Sequence, residues 1–192
     1  PQNDLSMAEN ILYLLREDKK FTELEARALD AALILHADHG SNNSTFTNHV
    51  VSSTGTDTYS AMAASLCANI KVVEMMADLK SHVDDPTDEG QVREYLQAVL
   101  DKKALDGLGL IYGMGHAVYS LSDPRAEVLR GFVRDISKEK GLNREMDMYL
   151  TVEKVAKELL TARTGKPVAV NVDFYSGFLY DMLGLPKELY TP

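Results

Sequence analysis

Two capping boxes near the start of the chain commit it to helices. Ser6-Met7-Ala8-Glu9 and Thr22-Glu23-Leu24-Glu25 each set a hydroxyl three residues ahead of a glutamate. At that spacing the hydroxyl accepts the backbone N–H of the Glu, and the carboxylate reaches back to the N–H of the capping residue. Behind the first box, Ile11, Leu12, Leu14 and Leu15 fall on one face of a helix. The second box opens a helix expected to run to about His36. The same period returns in Val72, Val73, Met75, Met76 and Leu79, and again in Val92, Tyr95, Leu96, Val99 and Leu100. Asp85-Pro86-Thr87-Asp88 reads as a turn and a helix start. Pro124 suits the first turn of a helix running to about Lys140, with Gly141 as its stop. A further helix is expected from about Arg144 to Arg163. The last spans roughly 174–183 and stops at Gly184. Residues 57–67 are Ala-rich and continue the helical character.

Two stretches break this pattern. One is 105–122, which carries Gly107, Gly109, Gly113 and Gly115; the other is 166–173, with the β-like run Val168-Ala169-Val170. A short hairpin at 110–112 or near Val170 is the most sheet the pattern allows. The expected fold class is all-α.

The net charge of -9 comes from acidic residues spread along the chain, with no basic patch of the kind a nucleic-acid binder needs. Cys67 is the sole cysteine, so there is no internal disulfide framework, and a reducing, cytoplasmic setting is expected. No apolar run approaches a membrane span. Pro1-Gln2-Asn3-Asp4 has neither a Met nor a signal peptide, so a fragment of a longer chain is expected.

Four segments can carry chemistry. In His36-Ala37-Asp38-His39 the two histidines lie three apart and share a helix face, ahead of the capping candidates of 41–45. They read either as a hydrogen-bonded structural pair at a helix C-terminus or as an anion site. A metal site needs three or four ligands, and His49 and His82 follow no ligand spacing, so no metal is expected. Tyr112-Gly113-Met114-Gly115-His116-Ala117-Val118-Tyr119 sets a His among small residues in a Gly-rich loop, where a ligand can come close. Val118 stands where a dinucleotide fingerprint needs its third Gly, and no Gly-Lys-Ser/Thr follows. In Asp123-Pro124-Arg125, capping explains the first two residues. Arg125 is not explained by a helix N-terminus and is able to aim a fork at a carboxylate. In Asn171-Val172-Asp173-Phe174-Tyr175-Ser176-Gly177, Asp173 sits where an N-cap is expected, and Ser176 lacks the frame of a nucleophile elbow.

Together and in this order, these segments resemble the citrate synthase family. The resemblance rests on 33–39 with Asn43-Ser44-Thr45-Phe46, Ser52-Ser53-Thr54-Gly55 with Tyr59-Ser60-Ala61, 113–119 through Asp123-Pro124-Arg125, 171–177, and the closing Gly184-Leu185-Pro186. It implies condensation of acetyl-CoA, as cosubstrate, with oxaloacetate, and no covalently bound cofactor. It also implies Asp173 as the base that deprotonates the thioester methyl and His116 as the donor that polarises the ketone. His39 and Arg125 match positions that bind the oxaloacetate carboxylates, His36 and Asn43 belong to the same substrate site, and Lys166 lies near the CoA. The implied architecture is a two-domain helical one. Residues 1–68 and 173–192 would be parts of a large domain and 69–172 the small domain, in a homodimer built on large-domain helices. 2-Methylcitrate synthesis from propionyl-CoA is one alternative; a catalytically inactive fragment or paralogue of the family is the other.

The sequence departs from the family at one point. The family carries a Gly-Pro-x-His-Gly-Gly loop whose His stabilises the enol of acetyl-CoA. Here Cys67-Ala68 runs straight into Asn69-Ile70-Lys71-Val72, with about eight residues fewer by this resemblance. The expectation is that the natural protein has this loop; a true deletion would abolish activity. Ser120 stands where some relatives carry a basic residue near the CoA phosphates.

Overall fold

The computed structural model describes residues 1–37, 49, 50, 52–55, 57, 71–116, 119 and 121–190. Seven α-helices lie among them: α1 (Met7–Leu15), α2 (Glu23–His36), α3 (Lys71–His82), α4 (Glu89–Leu100), α5 (Pro124–Glu139), α6 (Asn143–Thr164) and α7 (Asp173–Met182). A short 3-10 turn, Lys187–Leu189, follows. No strand forms among the described residues, and the all-α expectation holds. The β-like run near Val170 contributes a single antiparallel bridge, Met114 to Val170. The Ala-rich stretch, apart from Asp57, and the seam at Ala68–Asn69 lie outside the described residues. No helix among the described residues is long and apolar enough to cross a membrane.

The chain divides into two compact units, Pro1–Lys71 with Leu179–Pro192, and Val72–Phe178. In the first, both capping boxes form as the sequence dictates. Ala8 and Leu12 of α1 are buried, as are Ala28, Leu29 and Ala32 of α2, and the small residues let these helices pack closely. Arg16 fixes the corner between them. Its guanidinium binds both carboxylate oxygens of buried Glu25, each at 2.8 Å, and the carbonyls of Lys20 at 2.8 Å and Leu183 at 3.0 Å. One planar fork thus ties α1, α2 and the returning chain together.

In the second unit α4 and α5 both pack on α6. The long α6 buries Met148, Tyr149, Val152, Val155 and Ala156 along one stripe and ends at Gly165, whose φ of 69° is the left-handed stop a glycine supplies. Tyr149 carries an aromatic cluster into α7. Its ring stacks on Phe178 at 4.5 Å and meets Phe174 edge-on at 5.5 Å, and Phe174 is edge-on to Tyr175 at 5.1 Å. Phe174 and Tyr175 are fully buried. On α7 Gly177 comes so close to Val73 of α3 that an added Cβ would lie 2.6 Å from its Cγ2. The start of α7 is therefore held by packing on α6 and α3.

A buried polar cluster lies beside these aromatics. Glu153 of α6, 5% exposed, receives the hydroxyl of Tyr175 and the cations of Arg130 and Lys157. Burial, then the negative Glu153, pushes the Tyr175 hydroxyl far up, so it remains a donor.

Candidate active site

His116, Arg125 and Asp173 all lie in the second unit. Hydrogen bonds join the loop of His116 to the segment that leads into Asp173. Gly115 N–H donates to the Ala169 carbonyl at 2.7 Å, and Asn171 N–H donates to the Gly113 carbonyl at 3.0 Å. The Asn171 side chain adds two more. Its Nδ2 donates to the Gly115 carbonyl at 3.3 Å, and its Oδ1 accepts Asp173 N–H at 3.0 Å. The glycines are required here. Gly113 has φ 77°, and a Cβ on it would lie 2.9–3.0 Å from Phe174, including the Phe174 Cα.

Asp173 is the first residue of α7 rather than its cap. The capping oxygen comes from Asn171, two residues earlier, as an Asn side chain readily supplies in such a turn. The Asp173 carboxylate is thus not the group that caps this N-terminus; it is half-buried there, where the helix dipole favours a negative charge.

The state of His116 follows from one neighbour. Its Nδ1 is 3.1 Å from the backbone nitrogen of Tyr119, which donates. Nδ1 is therefore the acceptor, and the neutral ring carries its proton on Nε2. Nε2 lies 3.4 Å from Arg125 Nη2. In that tautomer both atoms carry N–H groups, and neither donates to the other. The Tyr119 ring lies 4.8 Å from the imidazole and 5.9 Å from the Arg125 guanidinium carbon.

Arg125 does aim its fork at a carboxylate, and that carboxylate is Asp123. Nε donates to Oδ1 at 3.0 Å and Nη2 to Oδ2 at 2.7 Å. Asp123, 1% exposed, also caps α5 by accepting Arg125 N–H at 3.0 Å. Burial alone would raise its carboxyl. The hydrogen bonds and charge of Arg125, with a contribution from His116, outweigh burial and hold it below the usual carboxylate range. Arg125 Nη1 is not used by Asp123.

The other expected residues are His36, His39, Asn43 and Lys166. His36 is in the last turn of α2 in the first unit, exposed, with Nδ1 2.8 Å from the Ala32 carbonyl. His39 and Asn43 lie outside the described residues. Lys166 is exposed in the turn after α6, its backbone closed on Thr164, and no hydrogen bond or ion pair links it to His116, Arg125 or Asp173. Among the described residues no group of three His, Cys, Asp or Glu side chains has the geometry of a metal site. Sequence reasoning missed the second role of Asp123, because capping alone accounted for it. It also passed over Asn171, although an Asn two residues before an Asp at a helix start signals an Asx turn.

A family model described as the citrate synthase C-terminal domain matches residues 1–192. The chain belongs to the citrate synthase family. A curated relative, citrate synthase of Deinococcus radiodurans, is 36% identical over 201 residues, covering all of this chain and 49% of that protein. The solved citrate synthase of Pyrobaculum aerophilum superposes with a TM-score of 0.75 at 31% identity, over all of this chain and 46% of that one. The Thermoplasma acidophilum citrate synthase, solved with carboxymethyl coenzyme A and oxaloacetate, gives 0.77 at 26% identity over all of this chain and 49% of that one. The chain thus spans about half the length of the citrate synthases it matches.

Proposed function

We propose that the whole protein condenses acetyl-CoA with oxaloacetate and water to give citrate and CoA. In this reading Asp173 takes a proton from the thioester methyl, and His116 Nε2–H donates to the ketone oxygen as charge develops on it. The new carbon–carbon bond joins the two, and water then releases CoA from the thioester. Arg125 Nη1 and His39 take the oxaloacetate carboxylates, His36 and Asn43 complete that site, and Lys166 lies toward the CoA. The observation that carries the reading is the convergence of His116 Nε2–H and the Arg125 fork on a loop hydrogen-bonded to the segment bearing Asp173.

The unit Val72–Phe178 is read as the small domain, and the remaining described residues as part of a large one that dimerises in the cytoplasm. The enol-stabilising loop belongs to the active protein. The 192 residues alone, without it, are expected to show no condensation.

The test is oxaloacetate-dependent thiol release by the full-length protein, with acetyl-CoA and propionyl-CoA side by side. Release with acetyl-CoA preferred, and a fall of about 10²–10³-fold in kcat for His116→Ala, supports the reading. No release from the intact protein overturns it, and a clear propionyl-CoA preference replaces it with 2-methylcitrate synthesis.

A further inference from the structure

We infer that Asn171 is a positioning residue that sets the distance between the donor and the base; its kinetic consequence rests on the reaction proposed above. The argument starts from what one amide can do. A primary amide offers an acceptor and donors at opposite ends of a rigid plane. At Asn171 the oxygen accepts Asp173 N–H at 3.0 Å, and the nitrogen donates to the Gly115 carbonyl at 3.3 Å. Asp173 and Gly115 are the residue that carries the carboxylate and the residue immediately before His116. Its own backbone N–H is bound to the Gly113 carbonyl at 3.0 Å, so the amide has little freedom to turn. The side chain is half-buried and makes no other hydrogen bond among the described residues, so capping α7 and latching the Gly-rich loop account for both of its ends.

Neither partner segment belongs to regular structure at the junction. Among the described residues the only ladder-like contact between them is the isolated bridge of Met114 with Val170. A loop built on two left-handed glycines, Gly113 and Gly115, has many accessible conformations, and a few bonds select among them. Of the hydrogen bonds between these two segments among the described residues, the latch acts nearest His116. A displacement there changes the spacing of the two proposed reacting groups.

Two variants of the full-length protein separate the latch from the cap. Asn171→Ser keeps an oxygen that accepts the N–H two residues on but is too short to reach Gly115, and Asn171→Ala removes both bonds. Amide hydrogen exchange is read at Gly115, Asn171 and Asp173. The expected result is about fivefold faster exchange at Gly115 N–H in both variants, and faster exchange at Asp173 N–H in the alanine variant only. In the condensation assay kcat falls about 10–100-fold in the serine variant, while KM for oxaloacetate changes less than about twofold. Wild-type protection at Gly115 in both variants overturns the latch. Faster exchange with unchanged kcat overturns the positioning role. If the wild-type protein releases no CoA, the proposed reaction fails on its own account, and the exchange result still decides whether Asn171 joins the two segments.

Discussion

Gly113→Ala tests how the site is built, because two separate costs act at that position. The first is conformational. Gly113 has φ 77°, where an L side chain costs about 1–2 kcal/mol. The second is steric. The new Cβ would meet Phe174 Cδ2 at 2.9 Å and its Cα and Cβ at 3.0 Å, against 3.4–4 Å for ordinary contact. The Cα cannot rotate away, so the start of α7 must shift by roughly half an ångström. Phe174 is fully buried against Tyr149 and Tyr175, which resist the shift, and overpacking of this kind costs about 1–3 kcal/mol. The sum is about 2–5 kcal/mol. Gly115→Ala is the internal control. Gly115 has φ 86° but no described residue within 4 Å of an added Cβ, so the first cost is the one expected there. Urea denaturation of both variants gives the steric contribution by difference. Because Phe174 adjoins Asp173, kcat in Gly113→Ala should also fall by about tenfold. Gly113→Ala no less stable than Gly115→Ala would refute the claim that the His116 loop is pressed against α7.

Asp123→Asn keeps a capping oxygen and removes the charge. The wild-type carboxyl is held low in the folded state, so its stabilisation is present above about pH 4 and lost as pH falls through the folded value. The stability gap between wild type and variant, from urea titrations, should therefore shrink between pH 6 and pH 3; a constant gap contradicts this. Arg125→Lys cannot span both Asp123 oxygens, and KM for oxaloacetate should rise about tenfold in steady-state kinetics. Tyr175→Phe leaves the buried Glu153 carboxylate without one donor and should cost about 1.5–3 kcal/mol in chemical denaturation. Combining Gly113→Ala with Asn171→Ser perturbs one latch from both sides, so their effects on stability should depart from additivity by at least about 0.5 kcal/mol; additive values would mean the two residues act separately.

Most of the helical frame was legible because its determinants are local. A hydroxyl and a Glu three residues apart, a Pro after an Asp, and a Gly at a left-handed stop each act within one turn, and α1, α2, α5 and α6 begin and end close to where those residues stand. The start of α7 was misjudged by one position because two acceptors compete there. Asn171 sits two residues ahead of Asp173 and takes the capping bond, which a motif centred on the carboxylate does not reveal. The chemistry-bearing residues were legible by resemblance and by residue type, but their mutual arrangement was not. Nothing in 113–116 or 169–171 signals that these segments bond to one another across some fifty residues; that pairing depends on packing at Phe174.

The Asp123–Arg125 pair explains how an arginine is tolerated at a helix N-terminus, where a cation is disfavoured. Asp123 brings the preferred anion to that end, caps it, and takes up two of the guanidinium donors. The pair carries no net charge, so what Arg125 presents toward a ligand is a fixed N–H geometry rather than a strong field. That division suits an acidic chain of net charge -9, whose overall field opposes the approach of a dicarboxylate. Under the proposed reaction, attraction must then come from cations outside this pair. In that reading Arg125 and His116 supply orientation. Asp123 is buried as well, and a carboxylate shielded from water holds its partner more strongly than an exposed one, which favours a single orientation of the fork beside His116.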